Sequence, residues 1–307
     1  MESKLKKGIY LALIAAVFSG VANFTNQFTV RYVGDALVFT TIKNSLVALL
    51  IISLLIFVKK LAKVRKLSGR NLLLLLSIGV IGGSLPFYLF FTALAQMPAI
   101  NASLIHKSLV IWVTILAVPF LKERLSIRQM FAIIAVFWAN LLVGGFGGFA
   151  VNGPEFMVLA ATILWSVESV IAKITLKQVD PDIVIASRMG IGSVILLLAV
   201  LASGKSPMLF TLNSSQFFLT FLTTLVLFGY VSTWYRALSY APVTLVATVL
   251  TLATLVTNGL SAVFVTHKLT MTQVAQFILL LAGTSLFINA AGKIKSVSQK
   301  LTPKSAI

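Results

Sequence analysis

The chain has 307 residues, of which 59% are hydrophobic and 10% are charged, and its mean hydropathy is +1.02. So few polar residues cannot cover a soluble globule of this length, which excludes a soluble domain. The formal net charge of +18 would indicate nucleic acid binding in a soluble protein. Here the basic residues lie at the ends of apolar segments, so anionic membrane lipids are the expected partner and nucleic acid is not.

Ten apolar stretches follow one another along the chain, each of about 20 residues, which is the length needed to cross the hydrocarbon core. Backbone groups in lipid must bond within their own segment, and the leucines at 72–76 lack the alternation of a barrel strand, so we expect helices. The predicted spans are 8–30, 36–58, 71–95, 99–121, 126–146, 155–177, 182–202, 215–236, 243–265 and 272–291. The sequence therefore predicts an all-α polytopic membrane protein with ten transmembrane helices.

The second half of the chain repeats the first. A shift of 145 positions lays Lys43 on Arg188, and after a slip of one residue Pro98 lies on Pro242. Matches that keep their order over most of each half indicate an internal duplication, with five predicted helices in each copy. The predicted domains are a first repeat at 8–146, a glycine-rich linker at 147–154, a second repeat at 155–291 and a basic tail at 292–307.

Lysine and arginine collect on one side of the predicted bundle, in the segment before the first helix, at 59–70, at 122–128 and after residue 292. The opposite side holds Arg31, Lys205 and Lys268. The positive-inside rule then predicts a multi-pass protein of the cytoplasmic membrane with both termini in the cytoplasm. Because each repeat has an odd number of helices, the two repeats are inverted relative to each other, as in many secondary transporters.

Several features in fixed order resemble the EamA type of the drug/metabolite transporter superfamily. They are a cation early in the second helix of each half (Lys43 and Arg188), a proline after the third helix of each half (Pro98 and Pro242), and the sequence Pro-Phe-Leu-Lys-Glu-Arg-Leu-Ser at 119–126. The resemblance covers nearly the whole chain. It implies transport, mostly export, of amino acids, sugars, nucleotide derivatives, quaternary amines or drugs.

Four charged side chains fall at membrane depth, where each costs a few kcal/mol unless it finds a partner or a function. They are Lys43, Lys107, Glu168 and Arg188. Lys43 lies eight residues beyond Asp35, or roughly 12 Å into the membrane, and is expected to face the bundle interior. Arg188 is the shallowest of the four, so it either faces the interior or reaches the cytoplasmic headgroups.

Two interpretations of these charges remain open. In one, Glu168 forms an ion pair with Lys43 or Lys107 that fixes helix register. In the other, three cations against one carboxylate leave a positive surplus that the carboxylate or phosphate of a substrate neutralises. Glu168 would then hold a substrate amine or carry a proton as the coupling ion.

Aromatic and amide side chains complete the candidate site. Trp165 lies one turn before Glu168, and Tyr230 and Trp234 share a face of the eighth helix. His106 either relays protons or is a hydrogen-bonded structural residue. The predicted substrate-binding residues are Lys43, Lys107, Glu168, Arg188, Asn23, Trp165, Tyr230, Trp234, His106 and Asn258.

No catalytic signature accompanies these residues. The chain lacks cysteine, a His-Glu-x-x-His zinc motif and a glycine-rich phosphate loop, so we expect neither an enzyme, nor a metal, nor a cofactor. The predicted function is secondary active transport of a small organic solute, with an amino acid or another zwitterionic or anionic solute favoured and efflux as the direction. The alternatives are a facilitative or uptake carrier for an amine, sugar or nucleotide-type metabolite, and, less favoured, a channel or a lipid scramblase.

Overall fold

Residues 2–142 and 153–301 are described by the computed structural model, and within them the regular secondary structure is helical. Ten helices form the bundle, three of them interrupted. In chain order they are α1 (Glu2–Val33), α2 (Ala36–Phe57), α3 (Gly69–Ser77, Ile78–Gly82 and Leu85–Gln96), α4 (Ala99–Lys107 and Leu109–Leu121), α5 (Ile127–Leu141), α6 (Gly153–Thr175), α7 (Pro181–Ala202), α8 (Ser214–Tyr240), α9 (Val243–Leu250, Ala253–Ser261 and Ala262–Thr266) and α10 (Met271–Leu301).

Nine of these helices, within the described ranges, are long and apolar enough to cross a membrane, and α5 is a shorter apolar helix of 15 residues. The predicted all-α polytopic fold is thereby confirmed. The glycine-rich linker is predicted at 147–154, and its residues 147–152 lie outside the described part of the chain. At the other end of the second repeat, α10 continues as a helix to Leu301, beyond the residue 292 at which the sequence predicts a tail.

The duplication seen in the sequence recurs in the helix caps. Asp35 accepts hydrogen bonds from the backbone N–H groups of Leu37 (2.9 Å) and Val38 (3.0 Å) and so begins α2. Asp180, which lies 145 positions later, caps α7 in the same way by accepting from Asp182 at 3.1 Å. Each carboxylate satisfies backbone donors that lack a partner within the helix.

The two repeats interlock rather than lie side by side. Helix α1 packs against α8 and α9 of the other repeat, and α6 packs against α3 and α4. Helix α2 packs on α7, and α5 on α10. The packing of α1 on α8 and α9 is the repeat equivalent of the packing of α6 on α3 and α4, whereas α2–α7 and α5–α10 each join a helix to its own equivalent.

Helix α3 is interrupted at its centre, where Ile78–Gly82 forms a π-helical turn. Pro86 has no backbone N–H, so the carbonyl of Gly82 loses the donor that a regular helix would supply four residues later. That carbonyl instead accepts from the indole Nε1 of Trp165 (3.1 Å) and from Nε of Arg188 (3.2 Å). The interruption therefore supplies a hydrogen-bond acceptor in the middle of the bundle.

Glycine permits α3 and α7 to approach until their backbones touch. A Cβ atom on Gly83 would lie 2.0 Å from the carbonyl oxygen of Arg188, and one on Gly192 would lie 2.2 Å from the carbonyl oxygen of Gly83. Neither neighbour is a flexible side chain, so the helices themselves would have to separate.

We predict that Gly192→Ala lowers the stability of the folded protein by about 1–3 kcal/mol, because the added methyl group forces α3 away from α7. Thermal unfolding of the purified protein in detergent measures the effect. Gly259→Ala is the matched control, since Gly259 is also helical and a Cβ there would meet nothing within 4 Å. Equal melting temperatures for the two variants would contradict the close contact.

Candidate functional site

A cavity of about 70 Å³, lined by charged, amide and aromatic side chains, lies at the centre of the helix bundle between seven helices from both repeats. Pockets that hold a small-molecule ligand usually measure roughly 300–1,000 Å³, so this cavity is contracted. Its lining residues are Ser19, Ala22, Asn23, Asn26, Lys43, Phe87, Phe90, Phe91, His106, Leu109, Trp165, Glu168, Ser169, Arg188, Leu227, Tyr230 and Trp234.

The structure brings eight of the ten residues predicted for the site into this lining. They are Asn23, Lys43, His106, Trp165, Glu168, Arg188, Tyr230 and Trp234. The eight come from six different helices and include three of the four charged side chains placed at membrane depth.

Lys107 and Asn258 are not among the residues that line the cavity, so the structure does not bring them together with the other eight. The Nδ2 atom of Asn258 donates to Oε1 of Gln276 at 2.8 Å, which joins α9 to α10. Lys107 follows His106 and points about 100° away from it around the helix. Its ammonium group is buried and has no hydrogen-bond partner among the described residues.

Arg188, Tyr235 and Glu168 form a buried hydrogen-bonded network that ties α6, α7 and α8 together. Nη1 of Arg188 donates to the hydroxyl of Tyr235 at 3.0 Å, and that hydroxyl donates to Oε1 of Glu168. The guanidinium nitrogen also lies 3.6 Å from Oε2 of Glu168. One sequence-based interpretation is corrected here, because Glu168 pairs with Arg188 instead of Lys43 or Lys107. Of the two alternatives stated for Arg188, the structure shows the bundle interior, where this residue is 3% exposed.

Lys43 has a different environment, although it is the repeat equivalent of Arg188. Its ammonium group lies 3.6 Å from the ring centre of Phe91, 4.6 Å from that of Phe39 and 3.3 Å from Oδ1 of Asn26. Within the described residues no carboxylate forms an ion pair with Lys43, which is fully buried. Rings and an amide oxygen stabilise a cation but leave its charge uncompensated.

The repeat explains both arrangements. Phe91 and Tyr235 are 144 positions apart, as are Pro98 and Pro242, so each cation meets the equivalent aromatic ring of its own repeat. In the second repeat the ring carries a hydroxyl group, and this hydroxyl connects the cation to a carboxylate. The formal charges of Arg188 and Glu168 cancel, whereas the charge of Lys43 does not.

Sequence reasoning missed Tyr235 and left Asn26 out of the candidate set. A signal existed for each of them. Asn26 lies one turn after Asn23 and on the same face of α1. Tyr235 is the position that the repeat alignment lays on Phe91.

Aromatic rings form one wall of the cavity. The ring centre of Trp165 lies 5.1 Å from that of His106, 5.3 Å from Phe87 and 5.5 Å from Phe90. Nδ1 of His106 lies 3.4 Å from the hydroxyl of Thr162, within hydrogen-bonding distance. This wall offers an apolar surface beside the charged groups.

Ion pairs between the two repeats hold both ends of the α2–α7 pair. At the Asp35 end, Lys205, which follows α7, bonds to the carboxylate that caps α2. At the Asp180 end, Lys60, which follows α2, lies 3.1 Å from the carboxylate that caps α7. Lys60 and Lys205 are 145 positions apart, as the two aspartates are, so the contacts are repeat equivalents on opposite ends of the bundle.

The Asp180 end carries additional contacts. Lys60 lies 2.6 Å from Asp182, Lys63 lies 3.4 Å from Asp180, and Arg236 of α8 bonds to Asp182. Among the described residues, ion pairs therefore bridge the two repeats at both ends of the bundle, and they are more numerous at the Asp180 end.

Interlocked inverted repeats around a buried polar cavity define a class, that of membrane transporters. The model of the EamA-like transporter family matches residues 6–145 and 153–289. The chain belongs to this family, and the predicted resemblance is confirmed.

Two further similarities agree with this assignment. An uncharacterized transporter from Methanothermobacter thermautotrophicus is 25% identical over 146 residues, which cover 45% of this chain and 42% of that protein. The match thus spans less than half of the relative's length. A solved crystal structure superposes with a TM-score of 0.72 over 96% of this chain and 99% of that chain, at 15% identity, and shows likeness of fold alone.

We predict that Glu168→Gln and Arg188→Gln each destabilise the protein by about 3–5 kcal/mol, because each leaves a buried charge without its partner. The double variant should lose much less than the sum of the two. Reversible unfolding in detergent or bilayer mimetics measures the coupling. The control cycle combines Glu168→Gln with Lys43→Gln and should show little coupling. Additive losses in the first cycle would exclude the assigned pair.

We also predict that the contact at the Asp35 end weakens in acid. Burial alone would raise the pKa of Asp35, but hydrogen bonds from Lys205 and from backbone N–H groups hold this pKa below its usual value. A lowered folded-state pKa stabilises the protein above the unfolded-state pKa of about 3.9, and the stabilisation is lost as the pH falls through the folded-state value. Asp35→Asn should therefore lower the melting temperature at pH 7, and the difference from the unmodified protein should shrink below about pH 4. Lys205→Gln should change the profile in the same way. A difference that persists unchanged in acid would rule out the contact.

Proposed function

We propose that this protein is a secondary active carrier which moves a small organic solute with a carboxylate or other anionic group across the cytoplasmic membrane. The observation that carries the proposal is the environment of Lys43, a buried cation in the cavity wall that has no carboxylate partner among the residues the structure describes. A cation in such a place is costly unless an anion neutralises it. A substrate carboxylate beside Lys43 would supply that anion and gain charge-assisted hydrogen bonds.

A zwitterionic solute suits the rest of the lining. The carboxylate of Glu168 can accept more hydrogen bonds than those it receives from Tyr235 and Arg188. A substrate amine would reach Glu168 while the substrate carboxylate meets Lys43. Trp165 and Trp234 would contact the apolar part of the same molecule. An amino acid is therefore the favoured solute. Glu168 as the carrier of a coupling proton is the second candidate role for this residue.

Alternating access would use the reciprocal ion pairs at the two ends of the α2–α7 pair. Opening either end requires the pair at that end to separate while the equivalent pair at the other end holds. The cavity must also enlarge to admit a solute, and the interrupted helices α3, α4 and α9 offer places where this bending is least costly. In the proposed orientation both termini and the Asp180 end face the cytoplasm. The proposed direction is efflux, because the family resemblance implies mostly export.

We predict that Lys43→Gln reduces the kcat/KM of saturable counterflow about 10–100-fold, because one charge-assisted hydrogen bond contributes about 1.5–3 kcal/mol. The protein is reconstituted into vesicles and tested with radiolabelled amino acids and organic acids. Lys43→Arg should keep part of the activity. Lys268→Gln, which removes an exposed lysine, should keep all of it.

Three outcomes would reject the proposal. Undiminished counterflow in Lys43→Gln would remove Lys43 from the substrate site. An unsaturable current would indicate a channel, and movement of lipid headgroups without solute flux would indicate a scramblase. Amide analogues of the accepted substrate should be transported poorly, since they lack the anionic group that Lys43 is proposed to bind.

A further inference from the structure

An open polar groove of about 520 Å³ lies on the Asp180 end of the bundle, away from the central cavity. Its walls come from the segment between α2 and α3 and from the turn between α6 and α7. Three lysines line it, Lys63, Lys66 and Lys177, together with the carboxylate of Asp180. The lining therefore has a net positive charge.

The one carboxylate in the groove is already engaged. Asp180 accepts from Lys60, from Lys63 and from the backbone N–H of Asp182. Lys66 and Lys177 form no ion pair in the described part of the chain, and their side chains are exposed. Two ammonium groups thus remain available to an anion that enters the groove, and Lys63 can contribute a third.

The fold itself does not require these lysines. The positions related to Lys63, Lys66 and Lys177 by the repeat are occupied by Met208, Thr211 and Tyr32, which lie at the Asp35 end and carry no positive charge. The aspartates, by contrast, are kept at both ends. The three cations are therefore a property of one end of the bundle and not of the repeated architecture.

The groove lies at the level where two spanning helices meet water. Lys177 comes two residues after the end of α6, and Lys66 comes three residues before the start of α3. Just inside α3, Leu72 and Leu73 are 47% and 64% exposed, which is the exposure expected of side chains that contact acyl chains. Phosphate groups of lipids lie at the same level, directly outside the hydrocarbon.

We propose that this groove binds the phosphate group of an anionic lipid, with Lys66 and Lys177 as its main ligands. Lys63 is shared between the groove and Asp180, from which its Nζ lies 3.4 Å. A phosphate in the groove would draw Lys63 away from Asp180 and loosen the ion pairs that join the repeats at this end. Lipid composition would then act on the Asp180 end of the bundle independently of any transported solute.

The test titrates the purified full-length protein in detergent with phosphatidylglycerol and with phosphatidylcholine, and follows the melting temperature. Phosphatidylglycerol should raise it saturably and phosphatidylcholine should not. Lys66→Gln/Lys177→Gln should weaken the apparent affinity at least about tenfold, because each of the two lysines attracts the anionic headgroup and the variant removes both charges. Since neither lysine bonds to Asp180, this variant should fold normally, and its melting temperature without lipid verifies that it does.

A matched control removes the same kind of charge from the same end of the bundle, outside the groove. It is Arg124→Gln/Arg128→Gln, both of which are exposed, and it should keep the affinity of the unmodified protein. A third arm uses inorganic phosphate. Inorganic phosphate could raise the melting temperature saturably while lipid does not, and Lys66→Gln/Lys177→Gln could abolish that effect. This result would identify the groove as a phosphate site for a soluble ligand and not for a lipid. Equal lipid affinity in the groove variant and the unmodified protein, or equal losses in both variants, overturns the proposal.

Discussion

The buried network of Arg188, Tyr235 and Glu168 is the interaction on which the centre of this protein depends. Lipid offers no partner to a guanidinium or a carboxylate, so the two charges must meet inside the bundle. The hydrogen bonds from Arg188 to Tyr235 and from Tyr235 to Glu168 fix the relative positions of α6, α7 and α8. Nε of Arg188 also donates to the carbonyl of Gly82, which lacks its helical donor because Pro86 interrupts α3. The close approach of α3 and α7 at Gly83 and Gly192 permits this hydrogen bond, because a side chain at either position would push α3 away from α7.

Duplication followed by divergence accounts for the asymmetry of the cavity. Both repeats place a cation against an aromatic ring, but in the second repeat the ring is tyrosine and a carboxylate completes the set. In the first repeat the ring is Phe91, and Asn23 is the residue that the repeat alignment lays on Glu168. One half of the cavity is therefore neutral and internally bonded, whereas the other half retains the charge of Lys43. That division separates the group that organises the bundle from the group proposed to bind the solute.

Sequence reasoning was sufficient for the fold and for eight of the residues that line the cavity, and what it did not give has one physical cause. Hydropathy and repeat spacing give the length of a helix and the depth of a residue along it, which is why Lys43 and Glu168 were expected inside the bundle. Depth does not give the direction in which a side chain points. Lys107 is as deep as His106 but lies about 100° away around α4, outside the cavity wall. The pairing of Glu168 with Arg188 depends on how α6, α7 and α8 are rotated against one another. A tyrosine among many apolar residues gives no sign that its hydroxyl is bonded.

The exchange of packing partners between the repeats bears on how the protein is made. Helix α1 finds its neighbours in α8 and α9, which the ribosome synthesises about two hundred residues later. Its amide side chains have partners within the first repeat, since Asn26 accepts from Lys43 of α2 and Asn23 donates to Ser103 of α4. Insertion of α1 into the bilayer therefore precedes the packing of its main contact surface, which the second repeat supplies.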